Sequence, residues 1–262
     1  MIERYPDNDA YRRGVELHKS RAQMKALPHY ESALRENPDR PPTDREVELI
    51  RAHAPRLFTT PTEPLPLMHV VTLLHPDEPL IAYHFFWEDD IDFPDDGEPC
   101  DHEVFWVRYD PDAPSPSERV TGVYTYYHGH VLEAPKAPQE AASNEGRPRA
   151  DVQWGKHGTL PYGWRDEPEL VANMRKTYER LSTRGIRTPD HPVAATWPKR
   201  FSGEWSDFVD FSLEVDLQKR LERSVMAVGT LGNAIIATRF LTINFAAKFS
   251  WPDLEQPGGG IY

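Results

Sequence analysis

YHFFWEDDIDFPDDGEPCDHEVFWVRYD, residues 83–110, places two aromatic, apolar runs on either side of a strongly acidic loop. Aromatic and β-branched residues favour a pleated, half-buried surface, and the Pro, Asp and Gly between the runs are residues that end one strand and allow another to begin. The stretch therefore predicts two strands joined by a charged turn. Similar runs flank it at Met68 to Leu74, Leu80 to Trp87, Val120 to His128 and Ala150 to Trp154, again separated by Pro, Asp and Gly clusters. Together they predict an antiparallel sheet.

Helical periodicity is confined to the margins. From Asn8 to about Asn37, Tyr11, Val15, Leu17, Met24, Leu27 and Leu34 recur among charges, an imperfect pattern interrupted at Pro28. This predicts an N-terminal helical arm over 1–42, which either covers one end of the core or serves as the contact of a homodimer. Pro38 to Pro42 breaks the chain, and Thr43 with Glu46 three residues on has the form of a capping box opening a short helix. Leu170, Val171, Met174, Tyr178 and Leu181 return at helical spacing, with Gly185 placed to end the helix. Further on, Val209, Phe211, Leu213 and Val215 alternate with polar residues, which predicts a strand with one buried face. Arg239 to Phe245 reads as another strand, and the apolar stretch Ser224 to Phe249 as buried strands. The expected class is mainly β with peripheral helices, its sheet domain spanning 43–262.

Composition narrows the function. A formal net charge of −12 argues against a nucleic-acid backbone as partner and favours cations as guests. Cys100 is the single cysteine, so no intramolecular disulfide can form, and the opening Met1 to Asp7 lacks the apolar stretch of a secretory signal; both point to a cytoplasmic protein. Asn233, Arg239 and Asn244 interrupt the most apolar late segment, which makes it a poor membrane span. Gly-x-Ser-x-Gly, phosphate-cradling and dinucleotide fingerprints are all missing from the sequence, which disfavours hydride transfer and nucleotide hydrolysis.

The acidic loop carries Glu88, Asp89, Asp90, Asp92, Asp95, Asp96, Glu98, Asp101, His102 and Glu103. Carboxylates this crowded raise one another's pKa or take up a counter-charge, and a bound cation is an economical one. Hard oxygen ligands suit Ca²⁺, Mg²⁺ or Mn²⁺, with Zn²⁺ as an alternative if imidazoles join. A solvated acidic turn is the competing reading. Strand alternation puts Glu103 on one face with Phe105, Val107 and Tyr109, where a carboxylate needs a partner. His128 and His157, each followed by glycine at or just past the end of a strand-like run, are candidates. A thiol catalyst built on Cys100 and His102 is disfavoured, because neighbouring carboxylates suppress the thiolate.

These residues resemble the Nep-like necrosis-inducing proteins and the related vacuolar-protein-sorting-62-like domains, whose aromatic strand, acidic stop and short His/Asp-Trp-Glu motif lead into a second apolar strand. Leu49 to Leu57, Tyr124 to Gly129 and Arg147 to His157 resemble further stretches of the sorting-related domains, in the same order. The resemblance implies a β-sandwich, and it implies a divalent-metal site on Asp90, Glu98, Asp101, His102 and Glu103. His102 stands where the family has tryptophan, and Glu98 or Cys100 where it has histidine. Some Nep-like proteins are secreted cytolysins that recognise sugar-bearing sphingolipid head groups with the help of a divalent cation. The expected function is a metal-dependent enzyme, a hydrolase or lyase, in which His128 or His157 moves a proton on a small polar substrate. The alternatives are a metal-assisted glycan or lipid head-group binding module and a structural or interaction protein.

Overall fold

All eight residues of Leu80–Trp87 are buried, the pattern of a strand covered on both faces. A computed structural model describes residues 8–92, 101–184, 186, 196–240 and 251. The first elements are helices α1 (Asp9–Lys19), α2 (Gln23–Glu36) and α3 (Asp44–Ala52), then strands β1 (Arg56–Thr59), β2 (Leu67–Leu74), β3 (Leu80–Trp87) and β4 (Asp101–Tyr109). Next come α4 (Pro116–Arg119), β5 (Val120–Tyr127), β6 (His130–Glu133), α5 (Ala137–Ala142), β7 (Arg149–Val152), β8 (Thr159–Pro161) and a 3₁₀ turn at Trp164–Asp166. The chain continues with α6 (Pro168–Thr183), α7 (Trp205–Phe208), β9 (Leu213–Val215), α8 (Leu217–Leu221), β10 (Val225–Val228) and α9 (Gly232–Arg239).

Among the described residues the strands form a six-stranded sheet, β10-β2-β3-β4-β5-β6, and a four-stranded sheet, β8-β7-β1-β9. Their facing sides share one core: Ile81, Tyr83, Phe85 and Trp87 of β3 and Phe105 and Val107 of β4 pack with Leu57 of β1 and Ala150 and Val152 of β7. That is a β-sandwich with helices at its margins. The expected antiparallel meander is β2 to β6. Two pairs run parallel instead, β1 with β7 and β10 with β2, because long excursions separate their partners in sequence.

The N-terminal helices pack on the outer face of the large sheet. Tyr11, Val15, Ala26, Tyr30 and Ala33 join α9 and the β3–β4 residues Ala82, Phe86, Val104 and Trp106 in a second core. Pro28 does not interrupt α2; it is exposed, on the side where Met24 is 66% exposed, so water can satisfy the carbonyl that loses its donor. The break falls at Arg21, in the left-handed region at φ 59°. The capping box at Thr43 and Glu46 forms as read.

Two expectations from the last third are corrected. Of Val209 to Asp216 only Leu213–Val215 is a strand; it pairs with β1 alone, and Leu213 is 50% exposed rather than inward. Ser224 to Phe249 is not a run of strands: β10 is followed by helix α9, which Arg239 closes, while 241–245 lie outside the described residues. Every residue from Gly232 to Ala237 is buried between α1, α2 and the sheet, and an apolar run with no polar face does not distinguish buried helix from buried strand.

Candidate functional site

The chemistry gathers where β3 ends and β4 begins, beneath the turn between β7 and β8. That turn, 153–158, is drawn tight by hydrogen bonds from Gln153 N–H to the Gly158 carbonyl (3.1 Å) and from His157 N–H to the Gln153 carbonyl (2.9 Å). Gly155 is required at φ +63°, where a Cβ would also come within 2.7 Å of Ile91 Cδ1. Its N–H donates to Glu63 Oε2 at 2.9 Å and its carbonyl accepts from Ile91 N–H at 3.0 Å, so the turn is fastened to two distant segments.

His157 is fully buried, stacked on the Trp87 indole with centroids 4.4 Å apart and planes 5° from parallel. Its Nδ1 lies 2.9 Å from Asp101 Oδ2 and its Nε2 3.3 Å from Glu63 Oε1. Burial opposes its charge, but hydrogen bonds to Asp101 and Glu63 outweigh that and raise the pKa to about 10. At neutral pH both ring nitrogens donate, and the imidazolium neutralises two carboxylates. One residue back, Lys156 donates to Asp92 and lies 3.9 Å from Asp90. Asp92 also accepts both Arg180 nitrogens of the fork, each at 2.6 Å, a bidentate pair that holds its pKa below the usual range against its burial. Burial pushes Asp90 up to about 7, with Lys156 pulling it down and Asp101 pushing it up.

His128 sits at φ 46° and Gly129 at φ 90°, the two central residues of the hairpin turn linking β5 and β6. Its Nε2 lies 2.7 Å from Gln153 Oε1, and burial lowers its pKa to about 4, so it is neutral. Of the two expected proton carriers, His128 is thus held neutral and His157 charged at neutral pH.

Of the expected metal set, the structure brings Asp90 and Asp101 together and turns His102 away. Asp90 and Asp101 meet at the cluster, and Glu103 is buried on the inner face with Phe105. His102 projects to the opposite face, stacked on Phe86 at 4.5 Å with its Nε2 2.9 Å from His84 Nδ1, because neighbouring residues in a strand alternate sides. Glu98 and Cys100 lie outside the described residues. Among the described residues no three His, Cys, Asp or Glu side chains are grouped to hold an ion. Here Lys156 faces Asp90 and Asp92, and His157 faces Asp101 and Glu63.

Beside the cluster a cleft of ≈ 720 Å³ opens between the His128 turn, Lys156 and helix α6. Lys176, Arg180 and Arg184, spaced four apart, line up along one face of α6 and its C-cap. With Lys156 they set four cations against Asp92 and Glu179. The sequence reading missed Glu63, Lys156 and Arg180. Arg180 had a legible signal in that four-residue spacing, and Lys156 in its place between two glycines of a strand end; Glu63, in a proline-rich loop, had none.

No family model matches the chain, and no curated relative matches it. A solved structure that aligns with it is the necrosis and ethylene inducing protein 2 of the causal agent of cocoa's witches' broom disease, at 14% identity and a TM-score of 0.29 over 43% of this chain and 70% of that one. What the chain's own packing defines is a two-sheet, mainly β protein with marginal helices and a buried charge cluster beside a basic cleft. Among the described residues no helix is long and apolar enough to cross a membrane.

Proposed function

We propose that the chain binds a small anionic molecule, a carboxylate or phosphate ester of sugar-acid size, in the α6 cleft. One observation carries this: in a protein of net charge −12, Lys156, Lys176, Arg180 and Arg184 converge from two separate elements on one concavity that holds two carboxylates. Its ≈ 720 Å³ lies within the roughly 300–1,000 Å³ common for small-molecule sites. Asp92 takes one fork of the Arg180 guanidinium and holds it and the Lys156 ammonium in place before a ligand arrives, which leaves the other guanidinium N–H groups to donate to a carboxylate or phosphate. Lys176 and Arg184, exposed at the rim, supply the charge that draws the anion in. Neutral His128, from the β5–β6 turn that also lines the cleft, adds a hydrogen-bonding ring.

Thermal melting and calorimetry with inorganic phosphate, citrate, glucuronate and glucose test this reading. The expected result is stabilisation by one or more anions and none by glucose; at a ligand concentration a hundredfold above Kd the gain is about 2.7 kcal/mol. Lys176→Glu and Arg184→Glu, which leave the Asp92 network intact, are expected to abolish it. If no anion stabilises the protein, or these variants respond as the parent does, the cleft is not the site. Stabilisation by Ca²⁺, Mg²⁺, Mn²⁺ or Zn²⁺ that disappears in Asp90→Asn and Asp101→Asn would restore the metal-centred reading in its place.

A further inference from the structure

A second concavity, of ≈ 680 Å³, opens where the start of β2 meets α8, the start of β10 and Phe240, and it shares no lining residue with the α6 cleft. Helix α8 buries Leu217 and Leu221 in the core between the sheets. Of its other three positions, Gln218 donates to the Arg51 carbonyl while Lys219 and Arg220 line the concavity, and Arg223 follows just past its end. Asp216, the acid on this wall, caps the helix by accepting Lys219 N–H at 3.1 Å. Among the described residues no carboxylate pairs with the Lys219, Arg220 or Arg223 side chains, in contrast to Arg40, Arg56 and Arg180, which are all paired.

The facing wall carries apolar side chains beside the exposed His69. Met68 is 48% exposed, and Val70, Val225 and Phe240 line the floor beside it. The Phe240 ring is fixed edge-on to His69 with centroids 5.2 Å apart and tilted against Phe86 at 5.1 Å. A single exposed methionine needs no explanation, but apolar side chains rimmed by Lys219, Arg220 and Arg223, with Asp216 the one acid among the lining residues, match one kind of guest. We infer that this groove binds a single-chain amphiphile with an anionic head: the hydrocarbon lies along Met68, Val225 and Phe240, and the head meets Arg220, Arg223 and Lys219. The stems of these long side chains also cover hydrocarbon while their charged ends stay at the water boundary. Fatty carboxylates and alkyl phosphates share this chemistry.

The inference does not rest on the α6 cleft, and the test keeps the two apart. Calorimetry below the critical micelle concentration would compare laurate, dodecyl phosphate, dodecyltrimethylammonium and dodecyl maltoside, with laurate and dodecyl phosphate distinguishing the two head groups. One-to-one binding of at least one anionic probe is expected, with no binding of the cationic probe. Arg220→Glu with Arg223→Glu, and separately Met68→Glu, should weaken binding at least tenfold, whereas Lys176→Glu should leave it unchanged. Arg220→Gln with Arg223→Gln, checked for an unaltered melting temperature, covers the case in which charge reversal disturbs folding, and should also weaken it. Binding indifferent to head charge, unaffected by these substitutions, or lost in Lys176→Glu would overturn the inference. Retention on anionic phospholipid vesicles without binding of any monomeric probe would also overturn it, pointing to a membrane surface instead.

Discussion

The two faces of β4 bury histidine in opposite states of charge. On the inner face His157 lies against Asp101 and Glu63, and its pKa rises to about 10. On the helix-facing side His84 and His102 meet at 2.9 Å, and burial drives His84 down to about 3. Both rings are essentially inaccessible to solvent. Burial by itself therefore does not decide whether a histidine is charged; the partner brought by the fold does.

The largest expected effect comes from breaking the charged side. His157→Leu leaves Asp101 and Glu63 facing each other in the interior without their shared cation, and loss of one member of a buried ion cluster costs about 3–5 kcal/mol. Urea denaturation at pH 7 measures it, and a cost near zero would mean that His157 is not charged. The neutral side should respond less. His84→Leu removes one hydrogen bond and keeps most of the volume, for a cost of about 1–2 kcal/mol.

The pH dependence sharpens the contrast, with opposite signs on the two faces. His84, depressed from 6.5 to about 3, binds fewer protons folded than unfolded between those values, so its contribution is intact above pH 6.5 and is lost as the pH falls below it. His157, raised from 6.5 to about 10, contributes fully below pH 6.5 and loses that contribution as the pH climbs through 10. Denaturation midpoints across pH 4–10 should therefore show the acid limb flattened in His84→Leu and the alkaline limb flattened in His157→Leu. Flattening of the same limb in both would break the comparison. The smallest expected effect lies away from both faces: Thr43→Ala removes the capping box of α3 for about 1 kcal/mol, independent of pH over that range.

Much of the scaffold is legible in the amino-acid order. The runs at 68–74 and 80–87, the strand from Glu103, the capping box and the helix carrying Leu170 and Met174 all appear within a residue or two of their predicted positions. Each depends on interactions spanning a few residues. Where burial comes from both sides the pattern loses its period, as in α9, and the helix reads as a strand. At 209–215 the alternation is real but lies at a sheet edge, where a strand needs only one neighbour and little covers Leu213.

The candidate site divides along the same line. Strand period alone separates Glu103 from His102, since adjacent side chains point to opposite faces. The crowding of acids between 88 and 103 also follows from sequence, and with it the expectation of raised pKa values or a counter-charge. Which side chains come to these acids was decided by tertiary structure, because Lys156 and Arg180 reach Asp92, and His157 reaches Asp101, only through contacts spanning tens of residues in sequence. Coulomb energy depends on distance and dielectric, and neither is written in the order of residues.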